Sequence, residues 1–419
     1  MKRKLMYAFM AMTAMLAMNS CEPEDIDAAY DEKTSLNSPF IFSEGYQDTI
    51  VHEYNLTTPI SDWLSMIKDN TKVCHLSIPG THDTMTGMGF YQPTLEYIFN
   101  ATAISQVATF QEQMENGIRF FDIRPVVSID TLQTDPKEKK ILRLAHGISE
   151  INVTLEEALD QMQSYLNAHK SEFFIVKLQA DNGLENQSEW INLLDKVLQK
   201  TKYATLFVTS ASWQPGITVA DMRGKILLLS RFNLPAQKSS DPTYPAVYCT
   251  WTDEDADIDE NLNPTAQRDC GIYKVTNTSS TSSTPAPDAT LFVQDYFKTN
   301  KQKRLDNKKQ TVKDMMTDAR AEIAADKDTW IINHTSAYTE VSPRGYVTNA
   351  AIIHPLVIEN LIQNAGTVGI MPMDMACHDY IHGIVNGGTP YTSDYLYGIR
   401  PLSQSLTNLL IKSNEKYFK

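Results

Sequence analysis

Cysteine is scarce in this chain, with five in 419 residues and none at zinc-ligand spacing. That excludes a disulfide scaffold and a zinc-finger architecture. Cys21 closes the N-terminal leader, and Cys74 and Cys377 sit in apolar segments where they read as buried thiols. Cys249 and Cys270 flank one loop region and are placed to pair in an oxidising compartment. Basic charge is also short. Lys and Arg number 37 against 51 Asp and Glu, and the formal net charge is −14, which becomes −17 once Lys2, Arg3 and Lys4 leave with the leader. This excludes a nucleic-acid binder and a polybasic membrane binder. Any basic groups that recognise an anion must be concentrated in a site. Internal repeats are absent.

What is present begins with the leader. Lys2, Arg3 and Lys4 precede an apolar run that ends at Asn19-Ser20-Cys21. Residues 1–20 are expected to be a secretory signal, too short and wrongly flanked for a membrane span. The small residue before Cys21 resembles a bacterial lipoprotein cleavage site, although Met18 and Asn19 depart from it. Cleavage there would leave a lipidated Cys21; the alternative is an ordinary signal peptide cut nearby. The acidic run Glu22, Glu24, Asp25 and Asp27 resembles the surface-sorting signals of some Gram-negative lipoproteins. The expected location is an outer-membrane or cell-surface lipoprotein, otherwise a periplasmic or secreted protein. Residues 21–55 read as a tether.

From residue 56 to 419 strands and helices alternate. Apolar runs predict strands at Val73–Ile78, Ile118–Arg124, Leu142–Ala145, Phe173–Leu178, Lys225–Ser230, Thr290–Val293, Trp330–Asn333 and Val368–Met373. Thr154-Leu155-Glu156-Glu157 is a capping box, and Leu155, Leu159, Met162 and Leu166 keep helical spacing after it. Further helices are expected around Trp190–Val197, Val312–Ile323 and Leu402–Leu409. The fold class is α/β, an irregular (β/α)₈ TIM-like barrel with rim insertions. The segment of about 233–289 lacks a clean period and holds the Ser, Thr and Pro-rich run Thr276–Pro287, so it reads as a flexible insertion.

Each expected strand ends on a charged or polar group. In order these are His82 and Asp83, Asp122 and Arg124, His146, Lys177, Arg231, Asp295, Asn333 and Asp374. In a barrel of this kind, chemistry sits at the C-terminal strand ends. Any one residue alone has an ordinary structural explanation; the recurrence on nearly every strand does not. Two histidines allow one general base and one general acid near neutral pH. Aspartates can orient them. Arg124 can hold a phosphate bidentately. Lys177, Arg231 and Asp295 can hydrogen-bond a polyhydroxylated ring. These residue types point to cleavage of a phosphodiester by an internal hydroxyl, with no metal cage required.

Ile78–Thr84, Phe121–Arg124, Leu144–Gly147, Lys177, Gly224–Arg231, Val293-Gln294-Asp295 and Met373-Asp374 resemble the bacterial phosphatidylinositol-specific phospholipase C family over residues 60 to 380. The resemblance implies that His82 is the base for the inositol 2-hydroxyl, paired with Asp374. It implies that Arg124, with Asp122 beside it, binds phosphate. It makes His146, supported by Asp83, the acid for the diacylglycerol oxygen. Lys177, Arg231 and Asp295 would hold inositol hydroxyls. The family's ring-stacking tyrosine is replaced here by Phe297. Calcium-dependent relatives place a metal where Arg124 would work, so the resemblance implies a metal-independent enzyme without a cofactor. The implied products are diacylglycerol and inositol 1,2-cyclic phosphate. The implied partners are an inositol phospholipid or a glycosylated inositol, and a membrane reached through Cys21 and transient interfacial contact, with the protein acting as a monomer.

Three other readings exist. A non-catalytic surface module binding inositol lipids or glycans would need neither His82 nor His146. A glycoside hydrolase would need two facing carboxylates, and the strand ends offer no Glu. A metal site on His378-Asp379-Tyr380-Ile381-His382 lacks an evident third ligand. Met85, Met88, Phe90 and Tyr91, just after His82, are either membrane-contacting residues or a packed loop core.

Overall fold

The computed structural model describes residues 58–91, 103–130, 134, 139–180, 187–231, 241–251, 267–274, 287–339, 343–380, 384–386, 389–391 and 400–419. The leader, Cys21, the tether to residue 55, nearly all of Thr276–Pro287, and Ile381 and His382 lie outside the described residues.

The strands in chain order begin with β1 (Ile78–Thr81) and β2 (Phe120–Ile123). A separate antiparallel sheet follows, made of β3 (Pro125–Ile129), β4 (Lys140–His146) and β5 (Ser149–Thr154). Then come β6 (Phe174–Leu178), β7 (Ile226–Ser230), β8 (Val247–Thr250), β9 (Gln267–Tyr273), β10 (Ala289–Gln294), β11 (Trp330–Asn333) and β12 (Ile370–Met373). A closed barrel runs β1-β2-β6-β7-β8-β9-β10-β11-β12 and returns to β1. Its neighbours are parallel except β9, which is antiparallel to both β8 and β10. The helices are α1 (Phe110–Glu115), α2 (Leu155–Ala168), α3 (Gln187–Leu198), α4 (Val219–Met222), α5 (Gln302–Ala324), α6 (Pro343–Gln363) and α7 (Ser403–Lys412).

Side-chain alternation divides two cores, as closure of a sheet requires. Ile78, Phe120, Ile175, Leu227, Leu229, Leu291, Val293, Ile332 and Ile370 meet inside the barrel. Phe121, Ile123, Phe174, Val176, Leu228, Ile331, Met371 and Met373 face outward, under the helices. Gly80 falls in the inward phase, where an added Cβ would lie 2.8 Å from the Phe120 ring. The glycine of the Pro-Gly-Thr-His-Asp stretch therefore lets β1 approach β2. Opposite the strand ends that carry chemistry, Arg119 and Glu172 form a fully buried ion pair with 2.7 Å between Nη2 and Oε2. Arg119 also donates to the carbonyls of Met114, Ile118 and Ser61.

α2 starts where the capping box places it, with Thr154 Oγ1 accepting from the Glu157 amide and Glu157 Oε2 accepting from the Thr154 amide. Val312, Met315, Met316, Ala319 and Ile323 are the buried stripe of α5.

Several expectations need correction. Leu142–Ala145 is not a barrel strand; it belongs to β4, because the chain leaves β2 directly into an antiparallel hairpin. Val73–His75 is a short 3₁₀ turn, and the strand starts only at Ile78. The stretch of about 233–289 is not simply an insertion, since it supplies the barrel strands β8 and β9. β9 has a Gly and several polar residues and is flanked by residues on an antiparallel ladder, so it shows none of the continuous apolar character of a parallel strand. Cys249 and Cys270 are both buried and are not joined to each other by a disulfide. Among the described residues, no helix is long and apolar enough to cross a membrane.

Candidate active site

The inward phase of each parallel strand continues one step past its last apolar residue. Ile78 and Gly80 lead to His82, and Phe120 leads to Asp122 and Arg124. Ile175 leads to Lys177, Leu227 and Leu229 to Arg231, Leu291 and Val293 to Asp295, and Ile370 and Pro372 to Asp374. One two-residue repeat thus turns an apolar barrel into a ring of charge at its C-terminal mouth.

His82 is held between two carboxylates. Its Nδ1 lies 3.0 Å from Asp374 Oδ1 and its Nε2 lies 3.2 Å from Asp83 Oδ2. Asp374 Oδ2 accepts from the Ala337 amide. Asp374 is adjacent because β12 pairs with β1 in the register Thr81↔Met373. Burial, reinforced by Arg124, holds the His82 imidazole well below its ordinary value, so the ring is neutral and able to accept a proton. Burial, with Asp83 nearby, pushes the Asp374 carboxyl up.

Asp83 has left-handed backbone angles, φ 43° and ψ 52°, which turn its carboxylate back across the barrel mouth. Its Oδ2 is also 3.2 Å from Nε2 of His146, and its Oδ1 is 2.8 Å from Nε of Arg124. His146 arrives from outside the barrel. The Ala145 amide donates to the Arg124 carbonyl, which pins the end of β4 beside β2. His146 Nδ1 lies 2.8 Å from the Ala103 carbonyl oxygen. Both ring nitrogens thus face oxygen acceptors, a setting that only the doubly protonated ring satisfies fully.

Arg124 Nη2 is 2.7 Å from Asp122 Oδ2, and Lys177 Nζ is 3.2 Å from the same oxygen. The register Asp122↔Lys177 between β2 and β6 puts them side by side. Burial pushes the Asp122 carboxyl up, but Arg124 and Lys177 outweigh it and hold it well below the usual range. His82, Asp83 and Asp122 turn donor atoms within 4.8 Å of one another, enough to suggest a cation site. Arg124 and Lys177 already place positive charge on these carboxylates.

Arg231 and Asp295 lie further round the mouth. Arg231 stacks on Trp251 at 3.9 Å and donates to Gln179 Oε1 and the Trp251 carbonyl. Trp251 Nε1 donates to Asp295 Oδ2 at 2.8 Å. Burial pushes the Asp295 carboxyl up, but His334, Lys177 and Arg231 outweigh it and keep it ionised. Phe297 packs against Tyr338, with ring centroids 6.1 Å apart.

The structure thus gathers His82, Asp83, Asp122, Arg124, His146, Lys177 and Asp374 through direct contacts, with Arg231 and Asp295 beside them; Phe297 contacts Tyr338. It does not bring Asn333 in. That side chain is in the outward phase and bonds the Val312 carbonyl and Gln294. Two residues escaped the sequence reading, His334 and Trp251. Both continue an inward phase, from Trp330 and Ile332 and from Val247 and Cys249 respectively, so counting in twos along the expected strand would have found His334, while Trp251 follows a strand that the sequence did not signal. The loop after His82 is partly packed, with Met88, Phe90 and Tyr91 half-buried. Met85 is buried, Met88 Sδ accepts from the Phe110 amide, and Phe90 and Tyr91 pair with β5. Asp379 accepts from the backbone and hydroxyl of Ser405 at the start of α7, which is a structural task.

Residues 91–232 match the family model "Phosphatidylinositol-specific phospholipase C, X domain". A 1-phosphatidylinositol phosphodiesterase of Listeria monocytogenes is 31% identical over 169 residues, covering 40% of this chain and 48% of the relative. One from Staphylococcus aureus is 25% identical over 182 residues, covering 42% and 53%. The chain therefore spans about half the length of the curated relatives it matches. Solved structures extend the likeness in fold. A phosphatidylinositol-specific phospholipase C from S. aureus superimposes with TM-score 0.58 at 20% identity, covering 84% of this chain and 97% of that one. The enzyme from L. monocytogenes gives 0.53 at 20%, covering 85% and 99%. Residues 91–232 thus resemble a phosphatidylinositol-specific phospholipase C X domain, and the barrel has the fold of the bacterial phospholipases of that name.

Proposed function

We propose that the protein cleaves phosphatidylinositol, or a related inositol phosphodiester, to diacylglycerol and inositol 1,2-cyclic phosphate. The observation that carries this reading is the placement of Asp83, in contact with His82, His146 and Arg124 at once. His82 Nε2 takes the proton of the inositol 2-hydroxyl as that oxygen bonds to phosphorus. Asp374 stabilises the imidazolium that forms. Arg124 offsets the charge that develops on the phosphate oxygens. The bond from phosphorus to the glycerol oxygen breaks, and His146 Nε2 gives its proton to the leaving oxygen. Lys177, Arg231 and Asp295 hold ring hydroxyls, and Phe297 supplies an apolar face. No cofactor enters the scheme.

Phosphorus NMR of the protein incubated with phosphatidylinositol tests the proposal. A cyclic phosphate resonance is expected. Absence of turnover on any inositol phosphodiester removes the reading.

The protein must also meet a lipid surface. Ile148, in the turn just after His146, is 44% exposed and is offered for transient membrane contact. The leader and Cys21 support export of the protein as a lipid-anchored enzyme, and we propose that it acts as a monomer. Their outer-membrane assignment draws no support from the relatives, which come from Listeria and Staphylococcus.

A further inference from the structure

His334 sits in the site with no task in the scheme above. It extends the inward phase of Trp330 and Ile332 on β11, and its ring meets His82 edge to face with centroids 6.2 Å apart. The residue is fully buried. Its Nε2 is buried and has no hydrogen-bond partner among the described residues. Buried polar groups are nearly always satisfied, and an orphan at a substrate site marks a place where a ligand completes the bond.

The nearest charged oxygen is Asp295 Oδ1, 3.9 Å from Nε2. That is too long for a hydrogen bond. It is a span that one hydroxyl group can close, donating to the carboxylate while it bonds the imidazole. The ring is not free to turn away. Its Nδ1 lies 3.2 Å from Ser336 Oγ. The backbone is clamped on both sides: the His334 amide donates to the Gln294 carbonyl, and the His334 carbonyl accepts from Gln294 Nε2 and from Lys308 Nζ. Lys308 Nζ also donates to the Ser336 carbonyl. A ring so positioned is organised before any ligand arrives.

Building on the phosphodiesterase reading, we propose that His334 is a specificity residue for the headgroup, whose Nε2 bonds the ring hydroxyl that Asp295 accepts. Burial lowers the imidazole to about 4, so it is neutral at working pH and suits a hydroxyl, not an anion. Phosphate remains with Arg124. The ligand class is a cyclitol with a hydroxyl donor at the position facing Asp295 and His334.

The test uses phosphatidylinositol and analogues each lacking one ring hydroxyl at carbons 3 to 6, presented in detergent micelles to the full chain. Wild-type protein should lose about tenfold to hundredfold in kcat/KM for one analogue through this contact. In His334→Phe the parent substrate should lose a similar factor, and the penalty for that one analogue should shrink toward unity while the others persist. His334→Gln, which keeps a polar tip, should restore part of the discrimination and guards against a folding failure of the first variant. Melting curves show which variants are folded. Unchanged penalties at every position, or equal loss on all substrates, would overturn the inference alone. Absence of any turnover by wild-type protein overturns the phosphodiesterase reading itself.

Discussion

Nδ1 of His82 and Oδ1 of Asp374 stand 3.0 Å apart, although 292 positions separate them in the chain. The contact joins the first barrel strand to the last and closes the ring. Asp374→Asn keeps the shape but removes the charge that steadies an imidazolium. It is expected to lower kcat by roughly 10²- to 10³-fold, with KM little changed. His82→Ala should lose at least as much while retaining affinity for phosphatidylinositol vesicles. Turnover near wild type in both variants would favour a binding module over an enzyme.

Metal dependence gives a second check. Arg124 already contacts Asp83 and Asp122, where a cation would otherwise sit. Activity should be unchanged in EDTA, and Arg124→Ala should lose about 10²-fold or more. Loss of activity in EDTA with recovery on calcium would contradict the role given to Arg124.

The pH profile carries two signatures. His82 is held below 6.5, so the acid limb of kcat/KM should fall below that of an ordinary histidine. Stability moves separately. His334 and His354 are each lowered by burial to about 4 from 6.5. The unfolded chain binds these protons first as pH falls. Their contribution is full above about pH 6.5 and is lost down to about pH 4, at up to ~1.4 kcal/mol per unit for each ring. A melting temperature that stays level between pH 7 and pH 4 would count against both buried neutral rings.

The buried pair beneath the barrel should matter for folding alone. Glu172→Ala leaves Arg119 buried and uncompensated, and is expected to cost about 3–5 kcal/mol in urea unfolding. Glu172→Gln should cost less, because it keeps an acceptor for Arg119. The folded fraction of either variant should retain the wild-type KM.

Membrane contact can be separated from chemistry at Ile148. Ile148→Ser should weaken vesicle binding severalfold and leave hydrolysis of a water-soluble inositol phosphodiester intact. Equal vesicle binding by both proteins would discard the contact.

Much of this was legible in the linear order. Runs of apolar residues in parallel strands are buried on both faces, so β2, β6, β7, β11 and β12 stood out, and the charges that end all of these but β11 came with them. The capping box at Thr154 is local chemistry and carried over intact. What failed was non-local. β4 and a parallel barrel strand share the same apolar signature, and only pairing with β3 and β5 separates them. β8 is short, and β9 sits on antiparallel ladders, which permit polar residues that a parallel strand excludes. His334 was passed over for Asn333 because the strand end was read as a position, when the two-residue repeat assigns it to a face.

Asp83 has one further consequence. In the proposed scheme the mobile proton belongs to His146 before reaction and to His82 after it. Asp83 Oδ2 lies equally close to both, so the carboxylate faces one imidazolium at the beginning and at the end. The charge of the site is conserved while the two rings exchange duties. The arrangement is symmetric in time: run backward, with water in place of diacylglycerol, the same three residues open the cyclic phosphate, and no outside proton carrier is required to reset them.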